Sequence, residues 1–146
     1  MCTSARTVGP WKLPGMNKSV WLARLLSIGG VLETVTGLAL IIDPADGASV
    51  LFGSSMEGAG VAIGRIGGGG LLALGIACWL ARKTPMSAAS VGVGWAYLVY
   101  NLIACVTLAW ASVALGGASV PALGGAALHG VLGAAMLAAL LGRGQA

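Results

Sequence analysis

Long apolar stretches separated by short polar breaks set the pattern of this chain. Four stretches can be marked, at residues 20–42, 58–81, 90–112 and 121–141. Each has about the 20 residues that an α-helix, rising about 1.5 Å per residue, needs to cross a hydrocarbon core about 30 Å thick. The breaks carry helix-ending chemistry. Asp43 and Pro44 end the first stretch, Arg82, Lys83 and Pro85 end the second, Gly116 and Gly117 follow the third, and Pro121 opens the fourth. A segment in lipid must satisfy its own backbone polar groups, and the alternation expected of barrel strands is absent, so the pattern predicts helices. The expected fold is all-α: a polytopic membrane protein with four transmembrane helices in an antiparallel bundle at 20–142, a polar tail at 1–19 and a short tail at 143–146.

Composition strengthens this reading. Of the 146 residues, 58% are hydrophobic and only 8% are charged, against roughly a quarter charged in a soluble domain. Four spans and their loops use nearly the whole length, which leaves no room for a second, soluble domain. The formal net charge of +4 does not point to nucleic acid, because the cations border apolar segments and form no basic stripe with interleaved aromatics.

The cations report orientation instead. Arg6, Lys12, Lys18 and Arg24 precede or begin the first span, Arg82 and Lys83 join the second to the third, and Arg143 follows the fourth, so all seven fall on one side. The other side carries Asp43, Asp46 and Glu57. The positive-inside rule then puts both termini in the cytoplasm, with Trp21, Trp79 and Trp95 toward the inner interface and Trp110 toward the outer one. The first span is too long for a signal peptide and is interrupted by Glu33, so it is expected to be retained. The segment 1–15 reads as a short polar arm, or else translation starts at Met16. The outer loop at 43–57 holds an apolar patch, Val50, Leu51 and Phe52, expected to rest on the membrane surface.

Glycine is abundant, at 25 residues, and recurs at four-residue spacing in Gly60, Gly64 and Gly68. Small residues let helix backbones approach where lipid offers no hydrophobic drive. The second span is therefore expected to be central to the packing, against its own chain or a second copy. Gly29 and Gly37 flank Glu33 by one turn on each side, and Gly125 and Gly133 flank His129 in the same way, so both polar groups are expected to point into the bundle.

Strongly polar side chains inside the spans are few: Glu33, Arg65, Asn101 and His129, one in each. Counted from the outer ends of the spans, they lie roughly 14, roughly 10, roughly 16 and roughly 12 Å deep, which makes one polar layer, joined by Tyr97 and Tyr100. A charge at mid-span costs about 2.5 to 3.5 kcal/mol on insertion scales. Glu33 and Arg65, the one opposite-charge match at that depth, are therefore expected to pair, with Asn101 and His129 completing the hydrogen bonds. Such a layer serves either to fix helix register or to bind a ligand and relay protons.

Catalytic and metal-binding patterns are missing. The chain has no HExxH, G-x-S-x-G, phosphate loop or CxxC, and Gly67 to Gly70 lie in an apolar span without the Lys and Ser or Thr of a phosphate loop. The single histidine excludes a haem held by two histidines of one chain. Cys2, Cys78 and Cys105 have no partner at ligand spacing. Cys78 and Cys105 are expected to pack as small apolar residues, too far apart for a disulfide.

The run from Arg65 through Leu71, Leu72, Ala73, Leu74, Gly75, Ile76, Ala77, Cys78, Trp79, Leu80 and Ala81 to Arg82, followed by Tyr100, Asn101 and His129, resembles small bacterial four-helix membrane proteins. In size and helix count the chain is also similar to DoxX-like proteins. That likeness spans the last three helices. It implies a bacterial inner-membrane location, and it would link some relatives to quinone or thiol redox chemistry, but it implies no activity for this chain. Three functions follow as expectations. The first is an accessory or assembly subunit that packs against a membrane partner through its glycine faces. The second is a small oligomeric transporter using Glu33, Arg65 and His129, and the third a redox protein holding a quinone near His129, Tyr97 and Tyr100.

Overall fold

A computed structural model describes residues 17–114 and 119–142. The tails with Arg6, Lys12 and Arg143, the cysteine at position 2, and the pair Gly116 and Gly117 lie outside the described residues. Five helices follow one another: α1 (Lys18–Ile42), α2 (Pro44–Phe52), α3 (Ala59–Ala81), α4 (Ala88–Ala114) and α5 (Val120–Leu141). Four of them, α1, α3, α4 and α5, are long and apolar enough to cross a membrane, and their ends fall within two residues of the four apolar stretches. Among the described residues there is no strand.

Local chemistry fixes the helix ends. The Asn17 side chain accepts from the Ser19 N–H at 3.1 Å, and Ser119 caps α5 by accepting from Ala122 N–H at 3.5 Å. Lys18 Nζ donates to the carbonyls of Leu140, at 3.1 Å, and Gly142, at 2.9 Å. It satisfies acceptors at the end of α5 and ties that end to the start of α1.

The loop at 43–57 is more ordered than the sequence reading allows. Asp43 Oδ1 accepts from Asp46 N–H at 3.0 Å, Pro44 occupies the first turn, and Gly53 ends the helix in the left-handed region with φ 70°. These features make α2 a capped helix of nine residues. Val50, Leu51 and Phe52 form its last turn, and Ser119 Oγ donates to the Leu51 carbonyl at 2.6 Å, joining α2 to α5.

Packing divides the long helices into two close pairs, α1 with α3 and α4 with α5, while the seams between the pairs are much lighter. In the first pair the backbones nearly touch. A Cβ placed on Gly37 would lie 2.6 Å from the Gly68 carbonyl oxygen, and one on Gly75 would lie 2.7 Å from Thr34 N. Only glycine permits this approach. In the second pair, Gly125 faces Leu108, Gly130 faces Cys105, and Gly133 faces Asn101 and Leu98.

The densest apolar core gathers where α1 and α4 begin and α3 and α5 end. It contains Leu22, Leu25, Leu26, Cys78, Tyr97, Leu98 and Met136. Outward-facing side chains are also apolar: Ile66 is 76% exposed, Val106 68% and Val113 81%. A surface that apolar suits lipid and not water. Cys78 and Cys105 are both unpaired.

Candidate functional site

A polar cluster sits directly above the apolar core, where the two helix pairs meet. Glu33 of α1 is 2% exposed, and Tyr97 and Asn101 of α4 are fully buried. Their positions follow from helical periodicity. Gly29, one turn before Glu33, leaves space that the Tyr97 ring fills, since a Cβ there would lie 2.7 Å from Tyr97 Cζ. The α1 face carrying Glu33 is thereby pressed against α4.

The hydrogen bonds on α4 are ordered by one donor. Asn101 Nδ2 donates to the Tyr97 carbonyl at 2.8 Å, which leaves Oδ1 as the acceptor for His129 Nδ1, 2.9 Å away. His129 therefore donates from Nδ1, and a neutral imidazole keeps Nε2 as an open acceptor. The imidazole stands edge-on to the Tyr100 ring, with centroids 5.4 Å apart, and Tyr100 stacks with Tyr97 at 6.4 Å. The Tyr100 hydroxyl neighbours the Glu33 carboxyl group. Four of the six polar residues marked in the sequence, Tyr97, Tyr100, Asn101 and His129, thus form one set on α4 and α5, and Glu33 approaches it from α1.

Two atoms of the cluster lack partners. Glu33 Oε1 and Tyr97 Oη are buried with no hydrogen bond among the described residues. Buried polar atoms are nearly always satisfied, and each left unmade costs about 1 to 3 kcal/mol.

Arg65 does not belong to this layer. It lies on an exposed face of α3, and the helix register explains why. A Cβ on Gly64 would lie 2.7 Å from Pro44 Cβ, and one on Gly68 2.9 Å from Ile41 N. Arg65 is thus level with the end of α1, about two helical turns from Glu33. The expected Glu33–Arg65 ion pair is absent, and Glu33 Oε1 has no donor of any kind among the described residues. Of the α1 hydroxyls nearest Glu33 in sequence, Thr34 packs against Gly75 of α3 and Thr36 is exposed.

A cleft on the outside of the bundle touches the cluster at one residue, Tyr100. It follows the light seam between α3 and α4, has a volume of about 440 Å³, and is lined by Gly64, Gly67, Gly70, Leu71 and Leu74, with Leu40, Met56 and Tyr100. Side chains at Gly67 and Gly70 would meet nothing within 4 Å. Tyr100 is shared between this cleft and Glu33. The volume is in the range of about 300 to 1,000 Å³ that small-molecule sites occupy. Among the described residues no group of three His, Cys, Asp or Glu side chains could hold a metal ion.

The arrangement offers an acidic group, two phenols and an imidazole acceptor beside an apolar entrance. Chemically, it suits hydrogen bonding to a molecule that arrives from the lipid. The sequence marked the five polar residues that the structure brings together, along with Arg65, which the structure places elsewhere; it did not mark the cleft, which follows Gly64, Gly67 and Gly70 along one side of α3. No protein-family model, no curated protein and no solved structure matches this chain, so the geometry of the cluster is what speaks for its role.

Proposed function

We propose that this multi-pass membrane protein binds a small lipid-soluble molecule through Glu33, Tyr97, Tyr100 and His129. The ligand enters by the α3–α4 cleft and carries both a hydrogen-bond donor and an acceptor, as a quinone and its quinol do between them. The observation that carries the reading is the pair of unpartnered buried atoms, Glu33 Oε1 and Tyr97 Oη. A guest with a hydroxyl and a carbonyl supplies what both lack. Lys18, Arg24, Arg82 and Lys83 at one end of the bundle support an orientation with both termini cytoplasmic.

The glycine faces bear on the accessory-subunit alternative. Gly29, Gly37, Gly64, Gly68, Gly125 and Gly133 all meet other helices of the same chain, and Gly60 meets Met56. What favours a protein partner is now a different set: Gly67, Gly69 and Gly70 of α3, Gly92 of α4 and Gly124 of α5, which face open space.

One purification tests both readings. After mild detergent extraction, the native chain is expected to retain a small molecule, found by mass analysis of an organic extract, and to bind an added short-chain benzoquinone. Tyr97→Phe and Glu33→Leu are expected to keep the fold and lose about tenfold in binding, the cost of roughly one hydrogen bond to a charged or buried group. Retention of a second polypeptide and no small molecule, with no benzoquinone binding, sinks the ligand reading in favour of the accessory one.

A further inference from the structure

On the side of α1 opposite Glu33, a second and separate groove follows the α1–α3 seam. It has a volume of about 370 Å³ and is walled by Val31, Val35, Ile76, Leu80 and the Trp79 ring. It continues past Trp79 along Ile28 and Leu32. Apart from the hydroxyls of Thr34 and Ser27 this lining is apolar, but its end is not.

Two arginines from different helices converge there. At about 100° per residue, Arg24, Ile28, Val31 and Val35 fall on one stripe of α1, and Arg24 is exposed. Arg82 caps α3, with its guanidinium stacked 3.8 Å from the centroid of the Trp79 ring. Its Nε is buried with no partner among the described residues. The antiparallel register, in which Gly30 meets Gly75 and Trp79, brings Arg24 to the level of Arg82.

We propose that this groove is a binding site for one anionic phospholipid, with an acyl chain along Val31, Val35 and Ile76 and the phosphate between Arg24 and Arg82. A planar guanidinium held by an aromatic face is preorganised for a phosphate, and basic pockets between helices at the membrane surface recognise anionic headgroups. A second copy of the chain fits less well. In a shared membrane orientation it brings its own Arg24 and Arg82 to this level, while the exposed acids Asp43, Asp46 and Glu57 lie at the other end of the bundle. Zwitterionic lipid fills the groove but offers no net charge to the arginines.

The test is native mass spectrometry of the purified chain in neutral detergent with equimolar phosphatidylglycerol and phosphatidylcholine of identical acyl chains. The native chain is expected to hold one phosphatidylglycerol in preference to phosphatidylcholine. Arg24→Gln and Arg82→Gln are each expected to reduce that preference about five-fold, the worth of one cation near an anionic headgroup. Val31→Trp, which fills the groove, is expected to reduce retention of both lipids, whereas Val113→Trp on the exposed face of α4 leaves both unchanged. Equal retention of the two lipids by the native chain overturns the proposal. So does a preference that survives loss of both arginines.

Discussion

Glu33 is the residue whose surroundings decide most. It is buried by its neighbours on α1 and α4, yet the nearest cation in sequence reasoning, Arg65, lies about two turns away on an outward face. The Tyr100 hydroxyl is its neighbour, and one of its oxygens is left over. Depths counted from assumed span ends placed Arg65 beside it, because a shift of a few residues in one boundary moves a side chain by a whole turn. The register is set instead by Gly64 against Pro44 and Gly37 against Gly68, contacts that no single-span count contains. Asn101, Tyr97 and His129 were legible for a different reason: strongly polar groups in an apolar helix are rare and face inward.

The absence of the ion pair has a measurable consequence. In a buried pair, removing one partner costs about 3 to 5 kcal/mol, and removing both recovers much of it. Here Arg65→Leu is expected to change stability in detergent by less than about 0.5 kcal/mol, as for exposed positions generally. The Glu33→Leu and Arg65→Leu effects are expected to add in the double variant. Thermal unfolding of the four proteins checks this, and a coupling above about 1 kcal/mol would restore the pair.

At the scale of elements, the four long helices were readable because each must be apolar for about 20 residues and then stop. Nothing subtler is required of a span. The short helix α2 escaped because its length is below that of a span and its apolar turn drew the reading. Its own signal was present in Asp43, Pro44 and Asp46 at the start and Gly53 at the end. Which helices pair was not legible, since glycines at four-residue spacing occur on several of them and only the folded contacts show which ones meet.

Those contacts separate two kinds of glycine on α3. A methyl group at Gly68 would meet the Gly37 carbonyl oxygen at 2.8 Å and Ile41 N at 2.9 Å, backbone atoms that cannot step aside. Gly68→Ala is expected to force α1 and α3 apart and to cost about 1 to 3 kcal/mol, as overpacking does. Gly67→Ala, one residue earlier, enters open space and is expected to be neutral or to gain up to about 1 kcal/mol from helix propensity. Unfolding in a denaturing detergent series distinguishes them, and equal effects would overturn the α1–α3 register.

For the whole molecule, orientation rests on where charge lies along the chain. The starts of α1 and α4 and the ends of α3 and α5 share one end of the bundle, and α2 lies at the other, as the Lys18 contact with α5 and the Ser119 contact with α2 require. In a chain stripped of its own cysteines, thiols introduced at Ser54 and Ser119 are expected to react with an impermeant reagent added to intact cells. One at Ser87 is expected to stay silent, and its labelling would invert the topology.

The division into two helix pairs carries a further consequence. The carboxyl group belongs to one half and the phenols, amide and imidazole to the other, so the cluster exists only after the halves dock. A guest held across that joint acts as glue: it strengthens the assembled form according to its concentration over its dissociation constant. Losing the proposed guest is expected to slacken the joint while each half keeps its own glycine packing, so that occupancy of the cleft would be read in how firmly the two halves hold together.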